Sequence, residues 1–405
     1  MFSKLATIKR TLNVDTSKLF AGLLAILTSG CLGHSDRTAG MRSALDARRP
    51  DAALHALNQV MRTHRPGGDR AVLELDRATV LQALGRFAES SRDYESADKG
   101  VDFASLSRNA VDTVADVTVS SSITRYEAPT HERLLINPLN ALNYLELGDL
   151  DGACVEARRH TVFSTYLADR GTAPDLVWGF GSAIAGFAFE KAGKQQVANQ
   201  YYADAMTSGI AMTPWHRETT PKGDQGELLV VVGDGRVPHL VSVRHLGGRD
   251  MVTYPGLAPY QRPMGRPKLR IGNRDHLLVP TLDVGDEVVR AYRAIEPELI
   301  AKAIARSATR GAVSDASEAI ADSIKDKNAK AMVAVGGLFA HVMLLVADTA
   351  DTRSWETLPA RLSVLRVPLD PGTHDIVLSS RGTHRHVKLT MSPRGWATVT
   401  LFALH

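Results

Sequence analysis

The chain has 405 residues, 44% of them hydrophobic and 23% charged, which leaves material for two or three compact units. Its 48 Lys and Arg against 44 Asp and Glu give a net charge of +4. Residues 1–30 hold four of those bases and one acid, so the remainder is close to neutral and its basic pI is no sign of nucleic-acid binding.

The chain opens on a targeting pattern. Lys4, Lys9, Arg10 and Lys18 form a basic region, Leu19–Leu27 is an apolar run too short to span a bilayer, and Thr28-Ser29-Gly30 are small residues ahead of Cys31. This order resembles the lipobox of bacterial lipoproteins, although Thr28 stands where that motif prefers leucine. The resemblance implies cleavage before Cys31 and acylation of that residue. Leu32 then lacks the aspartate of an inner-membrane retention signal, so an outer-membrane anchor facing the periplasm is expected. Residues 31–40 read as a small, polar tether. Cys154 is then left without an intramolecular disulfide partner and reads as a packing residue.

From residue 41 the spacing predicts helical hairpins. An early partial hairpin spans Arg42–Arg62 around Arg49-Pro50-Asp51. Gly85, Phe87, Ser90, Tyr94 and Ala97 follow the turn-glycine, aromatic and small-residue order of a tetratricopeptide hairpin. Gly148, Leu150 and Ala153 fit it in part, and Gly193, Gln195, Ala198, Tyr202 and Ala205 repeat it. The glycines at 85, 148 and 193 depart from the regular 34-residue period, so the array is degenerate. In the third hairpin Leu135, Leu139, Leu142 and Leu145 mark one apolar face, and Asp149 is an expected N-cap, with Arg158 and Arg159 expected at the closing end. Pro138 is expected to kink the first helix or restart it with Asn137 as cap. Asp102–Ser122 reads as one long helix, and in the polar run 126–133, Tyr126, His131 and Glu132 are candidate interaction residues. HERLL lacks the second histidine of a zinc helix.

The segments 83–98, 126–159 and 350–378 (ALGRFAESSRDYESAD, YEAPTHERLLINPLNALNYLELGDLDGACVEARR and ADTRSWETLPARLSVLRVPLDPGTHDIVL) resemble an uncharacterised family of bacterial tetratricopeptide-like lipoproteins. The resemblance implies a cell-envelope protein whose gene neighbours include small lipoproteins related to activators of peptidoglycan synthases. It supplies no catalytic residues.

Past residue 222 the pattern turns to strands. ELLVVVGDGRVPHLVSVRH predicts a hairpin around Asp234-Gly235, with Pro238 marking an edge, and Lys268–Val279 predicts a second pair around Gly272-Asn273. Helices are expected over Asp283–Ser307 and Ser314–Lys325, and the apolar run Ala331–Ala347 as a buried helix, with membrane contact as the alternative. Asp351 and Arg353 are expected to pair, and Trp355 to plug the junction between helices and sheet. Turns at Asp370-Pro371-Gly372, Gly382 and Pro393-Arg394-Gly395 divide the tail into four strands. His384, His386 and His405 form no convincing metal set.

The expected fold class is α+β, mainly α. It divides as 1–30 signal, 31–40 tether, 41–222 helical hairpins, 223–282 a small β-rich segment, 283–350 helices, and 351–405 a C-terminal antiparallel sheet or sandwich. Three functions compete. The first is a lipid-anchored envelope scaffold that binds a protein partner, possibly another lipoprotein, through its concave helical surface; it needs no metal or cofactor, and its oligomeric state stays open. The second is a component of an envelope secretion or pore complex. The third is an envelope hydrolase using His131, Glu132 or the Asp348/Asp351 region.

Overall fold

The computed structural model describes residues 33–63, 68–106, 126–173, 175–210, 221–247, 250–323 and 350–405. Cys31, Asp348 and the apolar run 331–347 lie outside the described residues, as does most of the helix expected over 102–122.

Among the described residues four helical hairpins come first: α1 (His34–Asp46) with α2 (Pro50–Thr63), α3 (Arg70–Ala83) with α4 (Phe87–Leu106), α5 (Thr130–Glu146) with α6 (Leu150–Ala168), and α7 (Leu176–Lys191) with α8 (Gln195–Thr207). Gly85, Gly148 and Gly193 hold φ of +73° to +74° at three of the turns, a backbone that side chains disfavour. Asp149 caps α6 as expected, its Oδ1 accepting from the Gly152 N–H at 2.8 Å.

Several local expectations change. The polar stretch read as a tether is the start of α1 from His34 on, and His34, Ser35 and Thr38 are buried; the Ser35 N–H donates to Thr352 Oγ1 and the Thr38 hydroxyl to the His34 carbonyl of its own helix, so these polar groups need no water. Pro138 sits inside a continuous α5. Asn137 does not cap a restart; its Nδ2 donates to Glu156 Oε2 on α6 at 3.0 Å. Arg158 and Arg159 lie mid-helix because α6 runs on to Ala168.

Among the described residues the β part forms two stacked four-stranded sheets and one two-stranded ribbon. The first has the order β10 (Trp396–Ala403), β1 (Gly226–Asp234), β7 (Arg361–Leu369), β6 (Val279–Asp283), with β1 parallel to β10 and antiparallel to β7. The second is antiparallel, ordered β5 (Arg274–Leu277), β4 (Lys268–Ile271), β8 (Gly372–Ser380), β9 (Thr383–Met391). Thus the β4–β5 pair and the four tail strands form as expected, but the hairpin predicted around Asp234-Gly235 does not. Strand β1 is buried at all nine positions, so both its edges go to other strands of the same sheet. The next strand, β2 (Leu240–Gly247), pairs instead with β3 (Asp250–Leu257) in a separate ribbon.

Side-chain alternation makes the mixed sheet the middle layer. Leu228, Val230 and Val232 of β1 face Leu269, Ile376 and Leu378 of the second sheet, whereas Leu229 and Val231 join a core shared with Leu135, Leu139 and Phe187 of the helices. The two helices expected over 283–325 are one, α9 (Val284–Ser323), which runs through Pro297. Ala303 of α9 packs on Val252 and Tyr254 of β3.

Candidate functional site

The irregular segment 350–360 is a strap laid against the first helices of the hairpins, and all but the half-buried Asp351 is buried. Its backbone donors find side-chain acceptors on distant helices, as buried main-chain groups must. The Trp355 N–H donates to Glu132 Oε1 of α5 at 3.0 Å, and the Thr357 N–H donates to Asp76 Oδ1 of α3 at 2.9 Å. The Thr357 hydroxyl donates to Asp76 as well. The indole of Trp355 meets the ring of Tyr94 edge to face, with centroids 5.8 Å apart, and Nε1–H donates to Thr79 Oγ1.

Around this strap the structure gathers five of the six residues singled out from the sequence. The Tyr126 hydroxyl donates to the second oxygen of Glu132. Arg353 and Asp351 form the expected pair, with Nη2 to Oδ2 at 2.6 Å, and the guanidinium of Arg353 also lies 5.9 Å from the Tyr126 ring centre. Trp355 is fully buried, and its partners Glu132, Thr79 and Tyr94 all lie on helices. His131 precedes Glu132, and no hydrogen bond among the described residues carries it into this network; burial lowers its pKa to about 4. The lipidation residue Cys31 lies outside the described residues.

The sequence reading missed the other half of the site. Arg42 of α1 donates to Glu356 Oε2 at 2.6 Å, and His34 Nε2 lies 3.7 Å from Asp76 Oδ2. Both ring nitrogens of His34, together with Asp76 Oδ2 and Glu356 Oε1, are buried without a hydrogen bond among the described residues. One signal was present: Glu74 and Asp76 interrupt the apolar stripe of α3 in LELDRATVL, and both are buried.

Burial dominates the electrostatics. It raises Asp76, Glu132 and Glu356 to about 7 each and lowers His34 to about 4, so carboxyls and imidazole alike are pushed toward their neutral forms. The three carboxyl groups bind N–H, hydroxyl and guanidinium donors of the chain itself at 0–3% exposure, so what this arrangement does is hold the strap against the helices.

Elsewhere, Cys154 and His160 are buried, and His384 and His386 are exposed on β9. Among the described residues no group of three His, Cys, Asp or Glu is placed to hold a metal ion. Among the described residues no helix is long and apolar enough to cross a membrane. Comparison with protein-family models, curated proteins and solved structures returns no match to this chain.

Proposed function

We propose that the chain is a lipid-anchored scaffold or assembly protein of the bacterial cell envelope. In this reading Cys31 carries the lipid in the outer membrane, and a protein partner docks on the helical stack. The observation that supports it is the way the hairpins divide their faces. The inner helices are covered by the chain's own strap and mixed sheet, which moves the partner surface from the expected concave face to the second helices. On α6, Val155, Val162 and Tyr166 share one outward face at 44%, 73% and 39% exposure, with Arg158 exposed between them. That face suits a partner segment that offers apolar side chains beside a carboxylate.

Two measurements test the two halves. Metabolic labelling with a fatty-acid probe should mark the wild-type protein and not C31A; a labelled C31A, or an unlabelled wild type, removes the anchor. Cross-linked partners captured from envelopes should be retained by T207A and lost by V162D. An identical partner set for V162D and wild type would remove the α6 surface.

A further inference from the structure

The lipid-anchor reading, joined to where the folded body begins, fixes an orientation. Only Leu32 separates Cys31 from Gly33, so the chain between the acylated residue and the body reaches at most about 7 Å. Gly33 is already fastened. Its carbonyl accepts from the Asp36 and Arg37 N–H groups, and its own N–H donates to Asp36 Oδ2 at 3.1 Å. One residue later the core begins: His34 is 2% exposed, and the Ser35 N–H donates to Thr352 Oγ1 at 3.1 Å.

The N-terminal ends of three inner helices meet at this point. Arg37 of α1 pairs with Asp69 ahead of α3. The Gly68 carbonyl accepts both the Tyr126 N–H, four residues before α5, and Arg353 Nη1 of the strap. The turns gather at the opposite end, where Arg385 holds Glu146 at the close of α5 and stacks on Phe87 at the start of α4. The two ends of α5 are about 25 Å apart, at 1.5 Å per residue over 17 residues.

We infer that the end formed by Gly33, Gly68–Asp69, Tyr126–Thr130 and Asp351–Arg353 rests on the lipid headgroup layer, with the hairpin turns directed away from the bilayer. This rests on acylation of Cys31. A flexible tether of ten or more residues would let the body tumble above the membrane; a leash of about 7 Å does not. Among the described residues of this end the acids Asp36, Asp69, Glu127 and Asp351 outnumber Arg37 and Arg353, which pair with Asp69 and Asp351, so the short leash and not charge attraction to the headgroups sets the seating at low and at high salt.

The test uses the full, lipidated protein purified from bacterial membranes and reconstituted into phosphatidylethanolamine/phosphatidylglycerol vesicles. In a C154A background, one fluorophore is placed at T130C or at L147C, both exposed positions. A nitroxide on the lipid headgroup should quench the label at 130 several-fold more than the label at 147, at low and at high salt. Ten Gly/Ser residues inserted between Leu32 and Gly33 should abolish that difference. Equal quenching at both positions, in protein that floats with the vesicles, would overturn the orientation and leave the anchor standing. Protein that fails to float would overturn the anchor, and the orientation with it.

Discussion

Trp355 Nε1 donates to Thr79 Oγ1 at 2.9 Å across 276 residues of sequence, and the same hydroxyl lies 3.2 Å from the Tyr94 hydroxyl. Side chains of the strap, α3 and α4 are thereby joined in one buried network. W355A removes a fully buried indole and is expected to destabilise the protein by about 3–5 kcal/mol. W355F keeps most of the apolar area, loses the hydrogen bond, and is expected to cost about 1–2 kcal/mol. Urea unfolding gives both values, and a W355F variant as stable as wild type would show that the bond to Thr79 contributes nothing.

A pH profile follows from two opposed sets of groups. Burial raises Asp76, Glu132, Glu156 and Glu356 to about 7, so between about pH 4 and 7 the folded chain holds protons that the unfolded chain has released, and stability falls as pH rises. Burial lowers His34, His131, His160 and His239 to about 4, so between about pH 4 and 6.5 the unfolded chain holds the extra protons, and stability rises with pH. The two slopes oppose each other over their shared window, and the wild type is expected to be nearly flat there. E356Q removes one falling contribution. Relative to wild type its stability should climb with pH by up to about 1.4 kcal/mol per unit between pH 5 and 7. Denaturation at several pH values checks this, and parallel curves for E356Q and wild type would refute it.

Gly181 of α7 is a contact point for His160 of α6. A methyl group built on Gly181 would lie 2.3 Å from His160 Cε1. G181A is therefore expected to cost about 1–3 kcal/mol by overpacking, and H160A should recover part of that loss in the double variant. Simple additivity in the double-mutant cycle would mean that the helices separate without strain. The imidazole also faces the backbone of Leu134, whose carbonyl lost its usual donor to Pro138 four residues on. H160A is expected to loosen α5 around that proline, seen as faster amide exchange at residues 135–137 and 139.

Arg366 of β7 binds Glu227 of β1 and Glu190 of α7 at 2.7 and 2.9 Å, which ties the mixed sheet to the helices. The arginine holds Glu190 down to about 2. R366M leaves two buried carboxylates short of their partner and is expected to destabilise by about 3–5 kcal/mol, with part of the loss recovered in the R366M/E190Q/E227Q variant. A triple variant no more stable than R366M would place the energy in packing and not in charge.

What the sequence disclosed was local. The turn glycines, the Asp149 cap and the Asp351–Arg353 pair each depend on neighbours a few residues apart, and each was legible. Partners across the chain were not. The run ELLVVV carried its own signal, since an unbroken apolar strand reads as one buried on both faces, yet the nearby Asp-Gly drew the reading toward a hairpin. In the candidate site, Trp355 and Glu132 stood out by residue type, while Glu356 looks like an ordinary solvated acid until Arg42 is placed against it, and Asp76 shows only as a break in an apolar stripe until Thr357 is. The polar composition of 32–40 concealed the start of α1 because its hydroxyls bond back within the protein; Thr38 Oγ1, for example, donates to the His34 carbonyl.

The parallel pairing of β1 with β10 sets Glu227 beside Trp396 and Asp234 beside Ala403. Each hairpin of the helical half closes between adjacent stretches of chain and can form as soon as it emerges. The middle layer cannot, since β1 lacks one neighbour until the last strand arrives. A chain emerging from its N-terminus would therefore carry β1, an apolar segment, with both edges open until β7 follows at Arg361 and one edge open until β10 follows at Trp396. That interval is the period in which a chaperone has the most to protect.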